Sequence, residues 1–141
     1  MNGPVNLRAY GLLARDNRIL ISEERVAGKD ILKFPGGGVE PNETPEQALR
    51  REFMEECSLS IEVLQLLHVP GTLFSPWTHT HYTPMYYEVD GIGKPVSPPH
   101  EPLTLSFLSP KSATSSGRMA NPELEAIRRL FGDASTTCPQ Q

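Results

Sequence analysis

The segment from Gly37 to Leu59 joins a glycine-rich turn to a strong helix signal. Thr44 is a favourable N-cap residue, Pro45 suits the first helical position, and Gln47 completes a capping box. The pattern predicts a helix that begins at about Thr44 and ends at about Cys57. Because the glycines lead straight into this helix, we expect both to border one site, where backbone amides and carbonyls can meet a phosphate or a cation.

The predicted helix has an apolar face and an acidic face. The apolar face carries three residues at i, i+4 and i+8: Leu49, Phe53 and Cys57. These side chains are expected to pack on a core. Glu52, Glu55 and Glu56 stand at i, i+3 and i+4, within an arc of about 100° on a neighbouring face.

Repulsion between the three carboxylates costs about a few tenths of a kcal/mol per close pair. Arg51 can offset part of this cost by reaching Glu55 at i+4. A divalent cation would reverse the sign of the interaction, and carboxylate oxygens suit a hard ion such as Mg²⁺. A solvated acidic face without a ligand is the other interpretation of the same pattern.

Short apolar segments on both sides of this unit predict strands. Leu7–Leu13 and Arg18–Ser22 form a predicted hairpin around the turn signal Asp16-Asn17. Ile31–Phe34 is a further short strand, and the three glycines from Gly36 are expected to stop any regular element. The other predicted strands follow the helix: Ser60–Val69, Tyr82–Val89 and Leu103–Leu108.

The remaining segments are predicted to be loops and one closing helix. The charged stretch Glu23–Asp30 is expected to form a loop. Eight of the 14 prolines lie between Pro70 and Pro110, so loops should dominate there. Asn121-Pro122 is expected to begin a short helix that ends near Phe131, with apolar residues at spacings of three and four.

Length and composition favour one folded domain. The chain has 141 residues, of which 38% are apolar and 21% are charged. We expect residues 1–133 to form this domain and residues 134–141 to form a flexible tail. With 13 Lys and Arg against 17 Asp and Glu, an extended nucleic-acid surface is not expected.

The sequence also bears on the compartment. No apolar run approaches the ~18–20 residues that span a bilayer, and the first residues lack the order of a secretory signal. Cys57 and Cys138 lie far apart and indicate neither a disulfide framework nor a zinc site. We therefore expect a cytoplasmic protein that does not contact a membrane.

The segment Gly37 to Leu59 resembles the Nudix box, in which Gly, Glu, Arg-Glu, Glu-Glu and Gly recur with two apolar residues at fixed spacing. Eight of the nine positions match: Gly37, Glu43, Arg51, Glu52, Phe53, Glu55, Glu56 and Leu59. The exception is Ser58, where the family has glycine. Because glycine takes left-handed backbone angles without strain, serine there costs up to ~1 kcal/mol or shifts the helix end. Phe34-Pro35-Gly36 resembles the family's entry to the box.

This resemblance implies an α/β protein with a Nudix-type α/β/α sandwich and a mixed β-sheet in a single domain. It implies an enzyme that needs Mg²⁺, with Mn²⁺ as a possible substitute. The implied reaction cleaves a nucleoside diphosphate linked to another group X, by attack of a metal-activated water on phosphorus. The substrate is then a small molecule, and a homodimer is possible.

The resemblance also assigns roles to residues. The metal ligands are expected to be the carbonyl of Gly36 and three carboxylates: Glu52, Glu55 and Glu56. Arg51 and Glu43 resemble the partners that hold these glutamates in place. The general base is either Glu52 or, in a loop nearer the C-terminus, Glu101.

Two questions stay open at this stage. The first is substrate identity, for which aromatic and imidazole side chains downstream of the box are candidate stacking surfaces: Phe74, Trp77, His79, Tyr82 and Tyr86. The second is whether the chain turns over its ligand. A non-catalytic Nudix-fold module that binds a nucleotide is the alternative to a hydrolase, although such a role usually goes with lost box glutamates and none is lost here.

Overall fold

The computed structural model describes residues 6–75, 78–100 and 102–132. Strands and helices follow one another in this order: β1 (Leu7–Arg15), β2 (Arg18–Val26), β3 (Lys29–Lys33), β4 (Gly36–Gly38), α1 (Pro45–Cys57), β5 (Ile61–His68), β6 (Leu73–Ser75), β7 (Thr80–Gly91), β8 (Leu103–Leu108), α2 (Pro110–Thr114) and α3 (Asn121–Phe131). The predicted helix over the acidic segment and the predicted closing helix are both confirmed.

The strands form one mixed sheet. Its main path runs β3-β2-β1-β7-β5, with β8 beside β2, β4 beside β1 and β6 beside β7. Strands β1 and β7 pair in parallel, whereas the other pairs are antiparallel. The β1-β2 hairpin turns through Asp16 and Asn17, whose φ angles of 51° and 62° suit a tight two-residue turn. The predicted hairpin is therefore confirmed.

Both faces of the sheet are covered, which gives the layered α/β/α arrangement. On one face the buried side of α1, which includes Leu49 and Phe53, packs against Leu20 of β2 and Val89 of β7. On the other face Ile127 of α3 belongs to a second core, together with β2 residues of opposite parity: Ile19 and Ile21. Strand alternation thus sends successive apolar side chains of β2 into two different cores.

The prediction of a loop over Glu23–Asp30 is wrong. Strand β2 continues to Val26, and β3 begins at Lys29 after a turn in which Ala27 and Gly28 have φ angles of 52° and 81°. Strand β2 gains backbone hydrogen bonds from β3 on one side and from β8 on the other. This long-range pairing outweighs the low strand propensity of the charged residues.

Two further expectations need correction. Gly36–Gly38 does not stop regular structure but forms β4, which pairs with Arg8–Tyr10 of β1. The segment rich in prolines is more regular than expected, because it contains β6 and a β7 that extends beyond both predicted ends. Helix α2 was not predicted. The predicted tail, residues 134–141, lies outside the described residues, and in the described ranges no helix has the length and apolarity of a membrane span.

Candidate active site

The glycine strand β4 brings the start of the site into close contact with its neighbours. Gly36 has a φ of 148°, and a Cβ atom on it would lie 2.1 Å from the carbonyl oxygen of Ala9. A Cβ atom on Gly37 would lie 2.5 Å from Oε2 of Glu52. Only glycine permits both approaches, so the backbone of β4 lies directly against the carboxylate of Glu52.

Helix α1 is held at both ends by local interactions. At the N-terminus the Gln47 N–H donates to Thr44 Oγ1 at 3.1 Å, and the Thr44 N–H donates to Gln47 Oε1 at 2.9 Å. At the C-terminus Ser58 takes left-handed angles, with φ 56° and ψ 35°, and its hydroxyl donates to the Val96 carbonyl at 3.0 Å. The predicted capping box is confirmed, and Ser58 ends the helix in the conformation expected of a glycine.

Glu52 and Glu56, one helical turn apart, form a closely spaced carboxyl pair. They share a hydrogen bond, and Glu56 Oε1 also accepts the Gly36 N–H at 3.3 Å. Burial, followed by the neighbouring carboxylate of Glu52, holds the pKa of Glu56 well above its usual range. Glu55 lies at the outer edge of the pair, with a side chain that is 56% exposed.

Arg51 fixes the acidic face from the side. Its guanidinium donates to both oxygens of Glu43, at 2.7 and 2.9 Å, and to the Gly38 carbonyl at 3.0 Å. It also reaches Glu52 at 3.1 Å and Glu55 at 3.4 Å. The hydrogen bonds from Arg51 lower the pKa of Glu43 to about 2, so this carboxylate stays charged and holds the guanidinium in place.

The donor set fits a hard divalent cation. Its side-chain donors are carboxylate oxygens, and the Glu52–Glu56 pair carries the unfavourable like-charge interaction that a cation would relieve. In the described ranges, however, no three acidic, imidazole or thiol side chains converge into a ready-made cage. The fit therefore resembles Mg²⁺, which takes one or two carboxylates and completes its shell with water and substrate phosphates.

The structure brings some of the predicted residues together at this site, whereas others lie elsewhere in the fold or outside the described residues. Gly36, Glu52 and Glu56 lie together, with Arg51 and Glu43 beside them. The predicted base Glu101 lies outside the described residues, as does the stacking candidate Trp77. Of the other stacking candidates, Phe74 lies in β6, His79 in the turn before β7, and Tyr82 and Tyr86 in β7.

A cleft of about 610 Å³ is lined by Arg8, on which the charges of Glu52 and Glu56 act, and of the stacking candidates within the described ranges only Tyr82 lines it. Its wall comes from β1, β3, the β6-β7 hairpin, the segment before α3 and the start of α3. Aromatic and charged side chains of this wall include Arg8, Tyr10, Lys33, Arg118 and Glu123. Sequence reasoning missed these residues because no local pattern links them. Tyr86 is instead buried, stacked on Tyr10 at 5.6 Å, and Phe74 packs on His81 at 5.2 Å.

The fold and the site together define a family. The profile of the NUDIX domain matches residues 5–130, and the chain belongs to this family. An RNA pyrophosphohydrolase of Saccharophagus degradans is 45% identical over 56 residues, which are 38% of this chain and 33% of the relative. An 8-oxo-dGTP diphosphatase of Haemophilus influenzae is 41% identical over 54 residues, 36% of this chain and 40% of the relative.

These matches cover only part of the curated relatives, between 23% and 34% of the length of those named RNA pyrophosphohydrolase. Solved structures agree with the fold over most of the chain. The ORF135 protein of E. coli has a TM-score of 0.75 at 22% identity, covering 92% of this chain and 94% of that one. A MutT NUDIX hydrolase from Burkholderia pseudomallei has a TM-score of 0.77 at 21% identity, covering 92% and 100%. At these identities the likeness concerns the fold.

Proposed function

We propose that this protein is a Mg²⁺-dependent Nudix pyrophosphohydrolase, with Mn²⁺ as a substitute, that cleaves a nucleoside diphosphate linked to a group X. The observation that carries the proposal is the Glu52–Glu56 pair, held against the glycine strand by Gly37 and clamped by Arg51. Such an arrangement of close carboxylates costs stability unless it serves a cation.

The proposed metal ligands are the carbonyl of Gly36 and three carboxylates: Glu52, Glu55 and Glu56. When bound, the cation supplies positive charge that neutralises diphosphate oxygens and makes a nearby water more acidic. Arg51 orients the carboxylates through its contacts with Glu43 and Glu52. The acidic surface of the site can thereby accept an anionic substrate.

A residue of this chain must also accept the proton of the attacking water. In hydrolysis the water oxygen forms a bond to phosphorus, the P–O bond of the anhydride breaks, and the water proton goes to a base. Glu52 is our first choice for this base because it lies at the centre of the site, and Glu101 is the second. The pH–rate profile of Glu101→Gln separates the two: loss of the acidic limb would identify Glu101 as the base, and an unchanged profile would leave Glu52, whose own replacement also removes a proposed metal ligand.

The cleft is the proposed place for the nucleoside. Its volume of about 610 Å³ suits a nucleotide, and its lining combines apolar, aromatic and charged side chains. Relatives named RNA pyrophosphohydrolase and 8-oxo-dGTP diphosphatase support a nucleotide-derived substrate. We further infer a small-molecule substrate, a cytoplasmic location and the possibility of a homodimer.

The test is hydrolysis of a panel of substrates, followed by chromatographic separation of the nucleotide products. The panel contains nucleoside triphosphates including 8-oxo-dGTP, 5′-triphosphorylated RNA, ADP-ribose, nucleotide sugars, NADH and dinucleoside polyphosphates, each with Mg²⁺, Mn²⁺ or chelator. We expect turnover of one class that needs the metal. Glu56→Gln, which removes a charge but keeps the size, should lower it by about two orders of magnitude or more.

Glu62→Gln is the matched control, because Glu62 is an exposed carboxylate on β5, away from the pair. It should keep full activity. Normal activity of Glu56→Gln would contradict the metal-site assignment. Silence across the panel, together with a rise in melting temperature on addition of a nucleotide, would instead favour the non-catalytic binding module.

A further inference from the structure

Arg8 lies where the cleft meets the acidic pair. It belongs to β1, is half-buried, and lines the cleft. Its Nε–H donates to the Tyr10 hydroxyl at 2.6 Å, and the Tyr10 ring is itself stacked on Tyr86. A Cβ atom on Gly38 would lie 3.7 Å from Arg8 Nη1, so the guanidinium borders the glycine strand. A buried aromatic stack thus holds this cation in one position.

Three other cations line the cleft, and each of them interacts with another residue: Lys29, Lys33 and Arg118. Lys33 Nζ forms an ion pair with Glu24 at 3.3 Å. Arg118 pairs with Glu23 and donates from Nε to the Asp30 carbonyl at 3.0 Å. These contacts tie β2, β3 and the segment before α3 together. The positive charges of Lys33 and Arg118 are therefore largely neutralised by contacts that stabilise the fold.

Arg8 differs from these cations. Among the described residues no carboxylate forms an ion pair with it, and none accepts a hydrogen bond from its two Nη atoms. Glu52 and Glu56 are near enough for their charges to act on the guanidinium, yet they do not contact it. Because Arg8 is only half-buried, water of the cleft can reach the four N–H groups that lack a protein acceptor, and a bound ligand can replace that water.

An anion suits this position better than any other ligand group. A guanidinium carries only donors, and its planar fork matches two oxygens of a phosphate. Arg8 lines the cleft and is also near enough to Glu52 and Glu56 for their charges to act on it, so an anion bound to Arg8 is close both to a nucleoside in the cleft and to the proposed metal site. The phosphate that occupies this place is the one attached to the nucleoside.

We propose that Arg8, oriented by Tyr10, binds the nucleoside-linked phosphate of the substrate and so sets which phosphorus faces the acidic pair. This inference rests on the proposed function. It adds a binding residue that lies outside the Nudix box segment and has no role in the assignments made from the sequence.

The test is equilibrium binding of GMP and of guanosine in the presence of chelator, measured by calorimetry. These probes differ only in the phosphate, and neither needs turnover. Wild-type protein should prefer GMP over guanosine by about 10- to 100-fold, as expected for a charged hydrogen-bonded contact. Arg8→Gln should lose most of this preference, and Arg8→Lys should recover part of it.

Three further variants make the result specific. Arg18→Gln removes the same charge from an exposed residue that does not line the cleft, and it should keep the preference. Tyr10→Phe should weaken the preference, because Arg8 loses the acceptor that orients it. Lys33→Gln tests the rival cation and should have the smaller effect.

The possible outcomes separate this inference from the proposed function. The inference is overturned if wild-type protein does not bind GMP more tightly than guanosine, if Arg8→Gln keeps the preference, or if Lys33→Gln alone loses it. Failure of the proposed function is a different result, namely no metal-dependent turnover of any panel substrate by wild-type protein. If turnover is found, Arg8→Gln should raise KM for the nucleotide substrate more than it lowers kcat.

Discussion

Replacing Gly37 by alanine tests whether the contact between β4 and Glu52 positions a carboxylate that the proposed reaction needs. The new Cβ atom would lie 2.5 Å from Oε2 and 2.7 Å from Cδ of Glu52. Ordinary van der Waals contact begins at 3.4 Å, so the carboxylate oxygen must move by about 0.9 Å. The Glu52 carboxyl is the far end of a flexible side chain and can make this movement without unfolding the helix.

The expected loss follows from the size of this displacement. A misplacement of about 1 Å in a reacting group costs about 100-fold in rate, which equals about 2.7 kcal/mol of transition-state stabilisation. We therefore expect kcat/KM of Gly37→Ala to fall by about two orders of magnitude. The free energy of unfolding should change by less than about 1 kcal/mol, because alanine also reduces the entropy of the unfolded chain.

Gly38→Ala is the matched control, because Gly38 is the next residue of the same strand. Its added Cβ atom would meet Arg8 Nη1 at 3.7 Å, which is ordinary contact. The assays are metal-dependent hydrolysis, urea unfolding and Mn²⁺ affinity by electron paramagnetic resonance. If Gly37→Ala and Gly38→Ala have the same kcat/KM and the same Mn²⁺ affinity, the steric argument is refuted.

Three other predictions concern the rest of the fold. Ser58→Gly should leave the melting temperature unchanged or raise it slightly, since glycine relieves the left-handed strain and loses only the bond to Val96; a clear decrease would contradict this. Burial raises the pKa of Glu123 to about 7, although the Ala120 N–H and Lys33 act to lower it. The folded state thus holds this proton more tightly than the unfolded chain, whose value is about 4.5, so the stability from this group falls as pH rises from about 4.5 to about 7. Urea unfolding across this range should show a smaller fall for Glu123→Gln, and equal slopes would refute the assignment. Cys57 is fully buried, and burial raises the pKa of its thiol to about 12. Peptide mapping should find it unmodified by a thiol reagent until denaturant is added, and rapid native labelling would show that the core opens.

Local patterns were enough to predict helix α1, its N-terminal cap and its buried face. The capping box between Thr44 and Gln47 and the buried face through Phe53 depend on residues within one or two helical turns. The reach of Arg51 to Glu55 is likewise an i, i+4 relation. Such features are encoded in short stretches of sequence, and the resemblance to the Nudix box extended them to a family and a reaction.

Contacts between segments that are distant in the chain could not be predicted from local sequence patterns. Nothing local indicates that the charged residues after Ser22 continue a strand, because β3 and β8 supply the backbone partners that stabilise it. Three consecutive glycines likewise suggest a flexible turn, and only pairing with β1 makes them a strand that presses on Glu52.

The cleft depends most completely on tertiary structure. Four cations from distant parts of the sequence line it: Arg8, Lys29, Lys33 and Arg118. Only the packed fold shows that Lys33 and Arg118 form ion pairs, whereas Arg8 forms none with a described residue. The sequence by itself thus determined the acidic helix, because its geometry repeats every few residues. The tertiary structure decided what that helix faces, because burial and charge pairing depend on which distant segments the sheet brings together.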